Sequence, residues 1–495
     1  MYRPGHGLRR AATAGFALVV AAATPAAPAL AATQGAGPGP TVKLIAAQHS
    51  VTLTTFRGRV YLDPGVYVAS LGSALQFDVQ RASYTKPITL TQVISQPGGG
   101  TTTRSLPGSL LDGFTGLRDF LRLSVANTAG HVVASTRSLF CPNFGPQRAV
   151  PGAAETTPYP SYCGSDPFPK SLVMGLARGW ATDPAGFSAT FPPPSVRIAP
   201  GKYTLTAAIA PQYVHWLHIT PADATVTVKL TVVKAPSHAA TPKTTAAPAP
   251  AKAPAPLPHV PTLASPPAAA LPDLVPLPSW GIRTVHARGG ADLLEFGATV
   301  WVGGNSPLDV EGFRSHGSPV MKAYQYFWRD GHVIGRARAG TMGFDSEHGH
   351  DHWHFEQFAR YQLLDSAKNL AVRSRKVGFC IAPTDPVDLL APHAVWQPPA
   401  IGLDGQCGVP TALWVQEMMP VGWGDTYVQY LAGQAFDITN LPNGTYYIQI
   451  TANPEHVLYE SNTHNDVSLR KVILGGTAGN RTVKVPAWHG IDPEN

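Results

Sequence analysis

The sequence predicts an all-β protein made of two β-sandwich-like domains with few helices. Its 495 residues include 48 glycines and 49 prolines, which favour turns between short strands and interrupt long helices. Apolar and polar residues alternate in both halves of the chain, as at residues 226–230 and 446–450. This period of two is typical of a strand with one buried face. A helical bundle or a coiled coil is therefore disfavoured.

The composition between residues 235 and 271 divides the chain. Nearly every residue there is alanine, proline, threonine or lysine. Such a segment has too few large apolar side chains to form a core and enough proline to stay extended. We predict a semi-rigid linker over residues 235–271, a front domain over 41–234, a rear domain over 272–478 and a tail over 479–495.

The first 31 residues have the features of a secretory signal peptide. Residues 1–10 carry positive charge, residues 11–23 form an apolar stretch too short to span a bilayer, and residues 29–31 supply an Ala-Leu-Ala cleavage pattern. We therefore expect a signal peptide over residues 1–31 and an exported, extracellular protein without a transmembrane segment. The Arg9-Arg10 pair leaves open whether export follows the general secretory or the twin-arginine route.

The net charge gives no indication of a nucleic-acid partner. The formal charge is +7, but the chain contains no dense block of lysine and arginine and no aromatic RNA-binding signature. We therefore expect no nucleic acid to bind. The sequence leaves the oligomeric state open.

A spacing shared by the two halves indicates an internal duplication. Trp423 is followed 21 residues later by Gly444 at the start of an alternating segment, and Trp180 is followed 21 residues later by Gly201 at the start of another. The front domain is therefore interpreted as a diverged copy of the rear domain. The alternative is a pair of unrelated sandwiches with similar turns.

The four cysteines are expected to form disulfides, because the chain is predicted to be exported. Sequence alone permits three pairings. The duplication aligns STRSLFC, which ends at Cys141, with SRKVGFC, which ends at Cys380, and the next cysteines are Cys163 and Cys407. If the duplication holds, Cys141 pairs with Cys163 and Cys380 pairs with Cys407.

Four histidines of the rear domain alternate along the chain, at His348, His350, His352 and His354. On an extended strand they project from one face. Imidazole is a good ligand for copper or zinc, and three histidines leave coordination positions open for water or dioxygen. The spacing does not match the His-x-His-x-Asp-His pattern of zinc hydrolases. A solvated histidine-rich loop is the alternative to a metal site.

Several ordered motifs of the rear domain resemble the lysyl oxidase catalytic domain. HDHWHFEQFARYQLLD at 350–365 resembles the copper-binding segment of that family, KVGFC at 376–380 resembles its Lys-x-x-Phe-Cys element, and GDTY at 424–427 resembles its Asp-Thr-Tyr element. ANPEHVLYESNTHND at 452–466 continues the match. The resemblance extends from about residue 271 to residue 474.

The resemblance implies a copper ion bound by His350, His352 and His354. It also implies that Lys376 and Tyr427 are joined as lysine tyrosylquinone. An amine is oxidised only if a group accepts two electrons, which ordinary side chains cannot do and a quinone can. His348 precedes the complete three-histidine pattern and is interpreted as either a neighbour of the metal ligands or an exposed residue.

The implied activity is that of a secreted, copper-dependent amine oxidase similar to protein-lysine 6-oxidase. Primary amines or peptidyl lysine would become aldehydes with release of hydrogen peroxide and ammonia, and dioxygen would be the electron acceptor. We identify Asp425 as the candidate base that removes a proton from the substrate α-carbon, since partial burial raises the pKa of a carboxyl group. The physiological amine is left open.

Each proposed catalytic residue also has a structural interpretation. Taken alone, Tyr427 could be a half-buried packing residue, and Lys376 could be an exposed charge on a strand. Asp425 could be the first residue of a turn. The alternative function is accordingly a noncatalytic copper-binding module of the cell surface, with Tyr427 unmodified.

The front domain lacks the candidate chemistry. In the register of the duplication, Arg137 stands opposite Lys376 and Pro184 stands opposite Tyr427, and no alternating histidines precede Cys141. We therefore expect the front domain to bind no copper and to serve in binding or spacing.

Overall fold

The structure is a computed structural model that describes residues 41–96, 98–185, 194–234, 260–315, 317–346, 352–374, 376, 378–398 and 407–494. The predicted signal peptide and the first part of the predicted linker lie outside these residues. The described residues form strands, one α-helix and two short 3-10 helices, which confirms the predicted all-β fold. Within this part of the chain, no helix is long and apolar enough to cross a lipid bilayer.

The described part of the front domain contains one α-helix, α1 (Pro211–Trp216), one 3-10 helix (Gly108–Leu110) and strands β1–β15. The strands are β1 (Val42–Ala46), β2 (Ser50–Phe56), β3 (Arg59–Tyr61), β4 (Val66–Ser70), β5 (Leu75–Gln80), β6 (Thr89–Ser95), β7 (Thr101–Leu106), β8 (Leu117–Ala126), β9 (Val132–Phe140), β10 (Gln147–Arg148), β11 (Ser171–Leu176), β12 (Trp180–Thr182), β13 (Ser195–Val196), β14 (Gly201–Ile209) and β15 (Thr225–Lys234).

The front-domain strands form three sheets. Their orders are β1-β4-β12-β10, β11-β5-β6-β7 and β13-β3-β2-β15-β14-β8-β9. The strand pairs are antiparallel, except that β2 and β15 are parallel.

The described part of the rear half contains a 3-10 helix (Ala268–Ala270) and strands β16–β31. The strands are β16 (Pro272–Pro276), β17 (Trp280–His286), β18 (Asp292–Gly304), β19 (Leu308–Phe313), β20 (Val320–Arg329), β21 (His332–Asp345), β22 (His352–Phe355), β23 (Ala359–Leu364), β24 (Leu370–Arg373), β25 (Asp385–Pro386), β26 (Trp414–Met419), β27 (Trp423–Tyr427), β28 (Ala435–Asp437), β29 (Gly444–Ala452), β30 (Val467–Thr477) and β31 (Asn480–Lys484).

Strand β18 organises the sheet that bears the catalytic candidates. Its nearly continuous apolar run is buried through the centre of the strand. The sheet has the order β16-β18-β27-β25, and β17 and β28 also pair with β18. Two further sheets have the orders β22-β21-β20-β19-β26 and β24-β23-β29-β30-β31. Residues Asp425 and Tyr427 lie on β27, between β18 and β25.

The shared spacing corresponds to shared structure. Gly201 and Gly444 begin strands β14 and β29, which both have nine residues, and Trp180 and Trp423 begin β12 and β27. Each nine-residue strand lies between two antiparallel partners, β15 and β8 for β14, and β30 and β23 for β29. These correspondences agree with the predicted duplication.

Two disulfides connect the four cysteines. They join Cys141 to Cys163 and Cys380 to Cys407, which is the pairing that the duplication implies. Each bond therefore closes a short loop within its own domain.

Two buried carboxyl groups of β19 predict a pH-dependent stability. Burial raises the pKa of Asp309 to about 6 and that of Glu311 to about 7. In the unfolded chain both groups have a pKa of about 4. The folded state therefore holds these protons more tightly, so the stability they contribute is present below about pH 4 and is lost as the pH rises through about 6 to 7.

We expect the free energy of unfolding to fall by about 2 kcal/mol or more between pH 5 and pH 8, as measured by urea denaturation. A double variant, Asp309→Asn with Glu311→Gln, should show a flatter profile than the wild type. The exposed Asp112→Asn should leave the profile unchanged. A double variant with the same pH profile as the wild type would contradict this origin.

Candidate active site

Strand β22 places two of the predicted metal ligands side by side. It pairs with β21, with His352 opposite Asp345 and His354 opposite Gly343. The His352 and His354 rings are 4.8 Å apart between centroids, and both residues are buried. The intervening Trp353 donates its indole N–H to the carbonyl oxygen of Val409. The local alternation along a strand therefore brings these two imidazoles together.

His348 and His350 lie outside the described residues. Among the described residues, no group of three histidine, cysteine, aspartate or glutamate side chains is arranged to hold a metal ion. The Asp345 carboxylate lies 3.5 Å from Nδ1 of His354, and a carboxylate at one ring nitrogen orients the other nitrogen toward a metal. The two buried imidazoles are thus adjacent, as two ligands of one metal ion would be, and the third predicted ligand, His350, lies outside the described residues.

The segment around Cys380 links the histidine strand to the rest of the site. Phe355 and Phe379 exchange backbone hydrogen bonds of 2.8 and 3.0 Å. The backbone N–H of Trp353 donates to the Cys407 carbonyl oxygen at 2.9 Å. Cys407 is joined to Cys380 by the disulfide. Strand β22 is therefore held on one side by β21 and on the other by both ends of this disulfide loop.

The Tyr427 hydroxyl is fixed by the backbone of a single residue. It accepts a hydrogen bond from the Cys380 N–H at 3.0 Å and lies 3.3 Å from the Cys380 carbonyl oxygen, to which it donates. The Tyr427 ring also meets the edge of Phe379 at 5.4 Å between centroids. Burial raises the pKa of Tyr427 well above the ordinary value, and the negative charge of Asp425 adds to the effect. The phenol is therefore held neutral and immobile.

Lys376 contacts the Tyr427 ring. Its Nζ lies 4.1 Å from the Tyr427 ring centroid and 4.9 Å from that of Phe379. Both Lys376 and Tyr427 are only 9% exposed. Gly433 packs closely against the lysine, since a Cβ at this position would lie 2.9 Å from Lys376 Cβ. The structure thus brings together the two side chains that the resemblance implies are joined.

Asp425 lies two residues before Tyr427 on β27 and is 3% exposed. Burial raises its pKa well above the ordinary value, the positive charge of Lys376 opposes this shift, and the negative charge of Asp385 adds to it. The Ala382 N–H donates to the carboxyl group. Its Oδ2 has no hydrogen-bond partner among the described residues. Asp425 is therefore a buried acid with one oxygen available to hold a proton.

The structure adds Glu417, which the sequence interpretation missed. Glu417 lies on β26 and is fully buried. Its Oε2 accepts the Ile381 N–H at 3.0 Å. Burial raises its pKa well above the ordinary value, and the charge of Asp425 raises it further. The signal in the sequence is the alternation of β26, which places Glu417 on the buried face with Val415 and Met419.

A second buried phenol borders the site. Tyr361, on β23, is 2% exposed, and its ring meets the edge of Phe379 at 5.5 Å between centroids. Burial raises the pKa of Tyr361, and the negative charge of Asp425 contributes. Phe379 therefore lies between two buried tyrosines and forms part of the apolar surroundings of Tyr427.

The site taken together is a buried lysine and tyrosine in contact, two buried acids and two adjacent imidazoles, in an all-β frame. The family model described as lysyl oxidase matches residues 405–482. This segment contains Glu417, Asp425 and Tyr427, whereas the histidines and Lys376 precede it. The rear domain thus resembles the lysyl oxidase family, as its motifs predict.

Two curated proteins are similar to part of the chain. Lysyl oxidase homolog 4 of Bos taurus is 28% identical over 141 residues, which are 28% of this chain and 17% of that protein. Lysyl oxidase homolog 4 of Mus musculus is 28% identical over 133 residues, which are 27% of this chain and 16% of that protein. The matched segment thus spans about a sixth of the length of each relative.

The close packing of Gly378 against His354 predicts a local stability effect. A Cβ at residue 378 would lie 2.8 Å from His354 Cβ. We expect Gly378→Ala to reduce the free energy of unfolding by roughly 1–3 kcal/mol, as overpacking does in other cores. Gly289→Ala is the matched control, because a Cβ there meets nothing within 4 Å. Equal denaturation midpoints for the two variants would show that His354 shifts to accommodate the methyl group with no loss of stability.

Proposed function

We propose that this protein is a secreted, copper-dependent amine oxidase that converts lysine-like primary amines to aldehydes. The observation that carries the proposal is the buried contact between Lys376 and Tyr427, with Nζ 4.1 Å from the ring centroid. This contact lies beside the strand that bears His352 and His354. The two disulfides support a protein that works in an oxidising compartment.

The proposed cofactors are copper and a lysine tyrosylquinone made from Lys376 and Tyr427. His352 and His354 would hold the copper ion with His350. When present, these groups supply the two-electron acceptance that amine oxidation needs and that unmodified side chains lack. The overall reaction consumes one amine, one dioxygen and one water, and it yields one aldehyde, one ammonia and one hydrogen peroxide.

The side chains of the site account for positioning and proton movement. The Cys380 backbone fixes the Tyr427 hydroxyl, which orients the ring with respect to Lys376. Asp425 lies on the same face of β27 as Tyr427 because the two are two positions apart along the strand. Its raised pKa makes the ionised carboxylate a stronger base, suited to taking the proton from the amine α-carbon at Oδ2.

Glu417 supports this role of Asp425 electrostatically. The negative charge of Asp425 raises the pKa of Glu417, so ionisation of one of these two buried acids opposes ionisation of the other. The raised pKa of Glu417 favours its protonated form. Glu417 would thus stay neutral while Asp425 alternates between its two protonation states during turnover.

Replacement of Tyr427 tests the catalytic proposal. In copper-loaded, full-length protein, Tyr427→Phe should abolish quinone staining and reduce amine-dependent peroxide release by at least about a hundredfold, with copper still bound. Peptide mass spectrometry of the wild type should find residues 376 and 427 in one cross-linked species. Tyr430→Phe is the control, because Tyr430 is 72% exposed.

Equal peroxide release from Tyr427→Phe and the wild type would refute the oxidase. Bound copper in a wild type that forms no cross-link would instead indicate a noncatalytic copper-binding module.

Replacement of the described histidines tests the metal centre. His352→Ala and His354→Ala should each weaken copper binding by at least about tenfold, because each removes an imidazole ligand. His332→Ala, at an exposed position of β21, should bind copper as the wild type does. The affinities can be measured by competition with a chelator of known affinity. Unchanged copper affinity in both variants at residues 352 and 354 would exclude this strand as the copper site.

A further inference from the structure

A segment of the front domain, residues 165–171, packs against the rear domain and buries Asp166 and Phe168. The two domains belong to one compact unit. Phe168 is completely buried and packs in a cluster with Leu277, Trp301 and Val387 of the rear domain. The Lys170 N–H donates to the Val387 carbonyl oxygen at 2.7 Å. The contact therefore has an apolar core and backbone hydrogen bonds of its own.

Asp166 connects this segment to one neighbour of strand β27. Its carboxylate, 2% exposed, accepts a hydrogen bond from the Thr299 hydroxyl of β18 at 2.6 Å. The Thr299 and Thr426 hydroxyl oxygens are 2.9 Å apart. Since the single Thr299 proton is donated to Asp166, the Thr426 hydroxyl donates to Thr299. A chain of two hydrogen bonds thus leads from the front domain to the residue between Asp425 and Tyr427.

Ser165 connects the segment to the other neighbour of β27. The Ser165 hydroxyl donates to Asp385 Oδ1 at 2.5 Å, and Asp385 of β25 pairs with Gly424 of β27. The adjacent Thr384 hydroxyl accepts the Thr426 N–H at 2.8 Å. In this way the front domain bonds to both strands that flank β27 in the sheet order β16-β18-β27-β25.

The buried hydrogen bonds of Asp166 hold the segment in one position relative to the rear domain. A buried carboxylate is costly unless its oxygens are hydrogen-bonded, and Asp166 satisfies its other oxygen, Oδ1, through the Phe168 N–H at 2.6 Å. Linked buried hydrogen bonds strengthen one another and specify one arrangement. A domain attached only as a spacer would need none of them.

We propose that Ser165 and Asp166 of the front domain are positioning residues for strand β27, so that the front domain is part of the scaffold that keeps Tyr427 against Lys376. The catalytic meaning of this scaffold rests on the proposed oxidase function. The physical claim, that residues 165 and 166 hold the backbone of β27 in place, does not.

The test uses full-length protein and removes single links of the hydrogen-bond chain. Thr299→Val deletes the bridging hydroxyl at constant volume, and Asp166→Asn leaves a neutral side chain that loses one acceptor oxygen. Thr299→Ser restores the hydroxyl. Asp112→Asn is the front-domain control, because Asp112 is exposed and bonds to Arg118 at 2.7 Å.

Hydrogen exchange of a peptide covering residues 423–427 is the first readout. The amides should exchange at least about tenfold faster in Thr299→Val and Asp166→Asn than in the wild type, and at wild-type rates in Thr299→Ser and Asp112→Asn. Ser165→Ala removes a single hydrogen bond at the rim of the contact and covers the case in which another variant fails to fold. It should speed exchange of the same peptide about threefold or more with an unchanged melting temperature. Wild-type exchange in every folded variant would overturn the proposal.

Quinone yield and steady-state kinetics are the second readout. In copper-loaded Thr299→Val and Asp166→Asn, quinone per chain and kcat should fall severalfold together while KM for the amine stays constant, and Thr299→Ser should recover both. Exchange that accelerates without loss of quinone or kcat would overturn the catalytic part of the proposal. A wild type that forms no quinone would refute the oxidase function, and the exchange rates would still decide whether the front domain positions β27.

Discussion

The hydrogen bonds between the Tyr427 hydroxyl and the Cys380 backbone are the constraint on which the site depends. They connect strand β27 to the 378–380 segment. That segment pairs with the histidine strand through Phe355 and Phe379. Residues that are far apart in sequence are therefore held by one short piece of backbone, and the Cys380–Cys407 disulfide ties the same piece to the neighbouring loop. Loss of this segment would separate the tyrosine from the histidines.

Burial gives the site its electrostatic character. Asp425, Glu417 and Tyr427 all have pKa values raised well above the ordinary range, with desolvation as the main cause. Burial therefore favours the neutral form of each group, and the positive charge of Lys376 opposes this effect at Asp425. An environment of this kind suits chemistry in which protons move between fixed groups without bulk water.

Local features of the site could be predicted from sequence, and long-range features could not. The alternation of His352 and His354 defines a common face because a strand repeats every two residues. The contact between Lys376 and Tyr427 depends on sheet pairing between distant segments, and only the family resemblance indicated it. Glu417 is recognisable as buried only once the inward face of β26 is known. Residues 165–171 have no periodic pattern that would predict burial. The burial of Phe168 depends on the shape of the rear-domain surface against which it packs, and the composition of the sequence does not reveal that shape.

The burial of Phe168 in a rear-domain cluster also has an evolutionary consequence. A proline-rich linker usually joins modules that can be exchanged or recombined without regard to one another. Here a change in the pocket around Phe168 would have to be matched by a change in the other half for the contact to be kept. Recombination that replaced one half with an unrelated module would expose an apolar cleft and leave Thr299 and Asp385 without Asp166 and Ser165. The two halves of this chain therefore form a single structural unit.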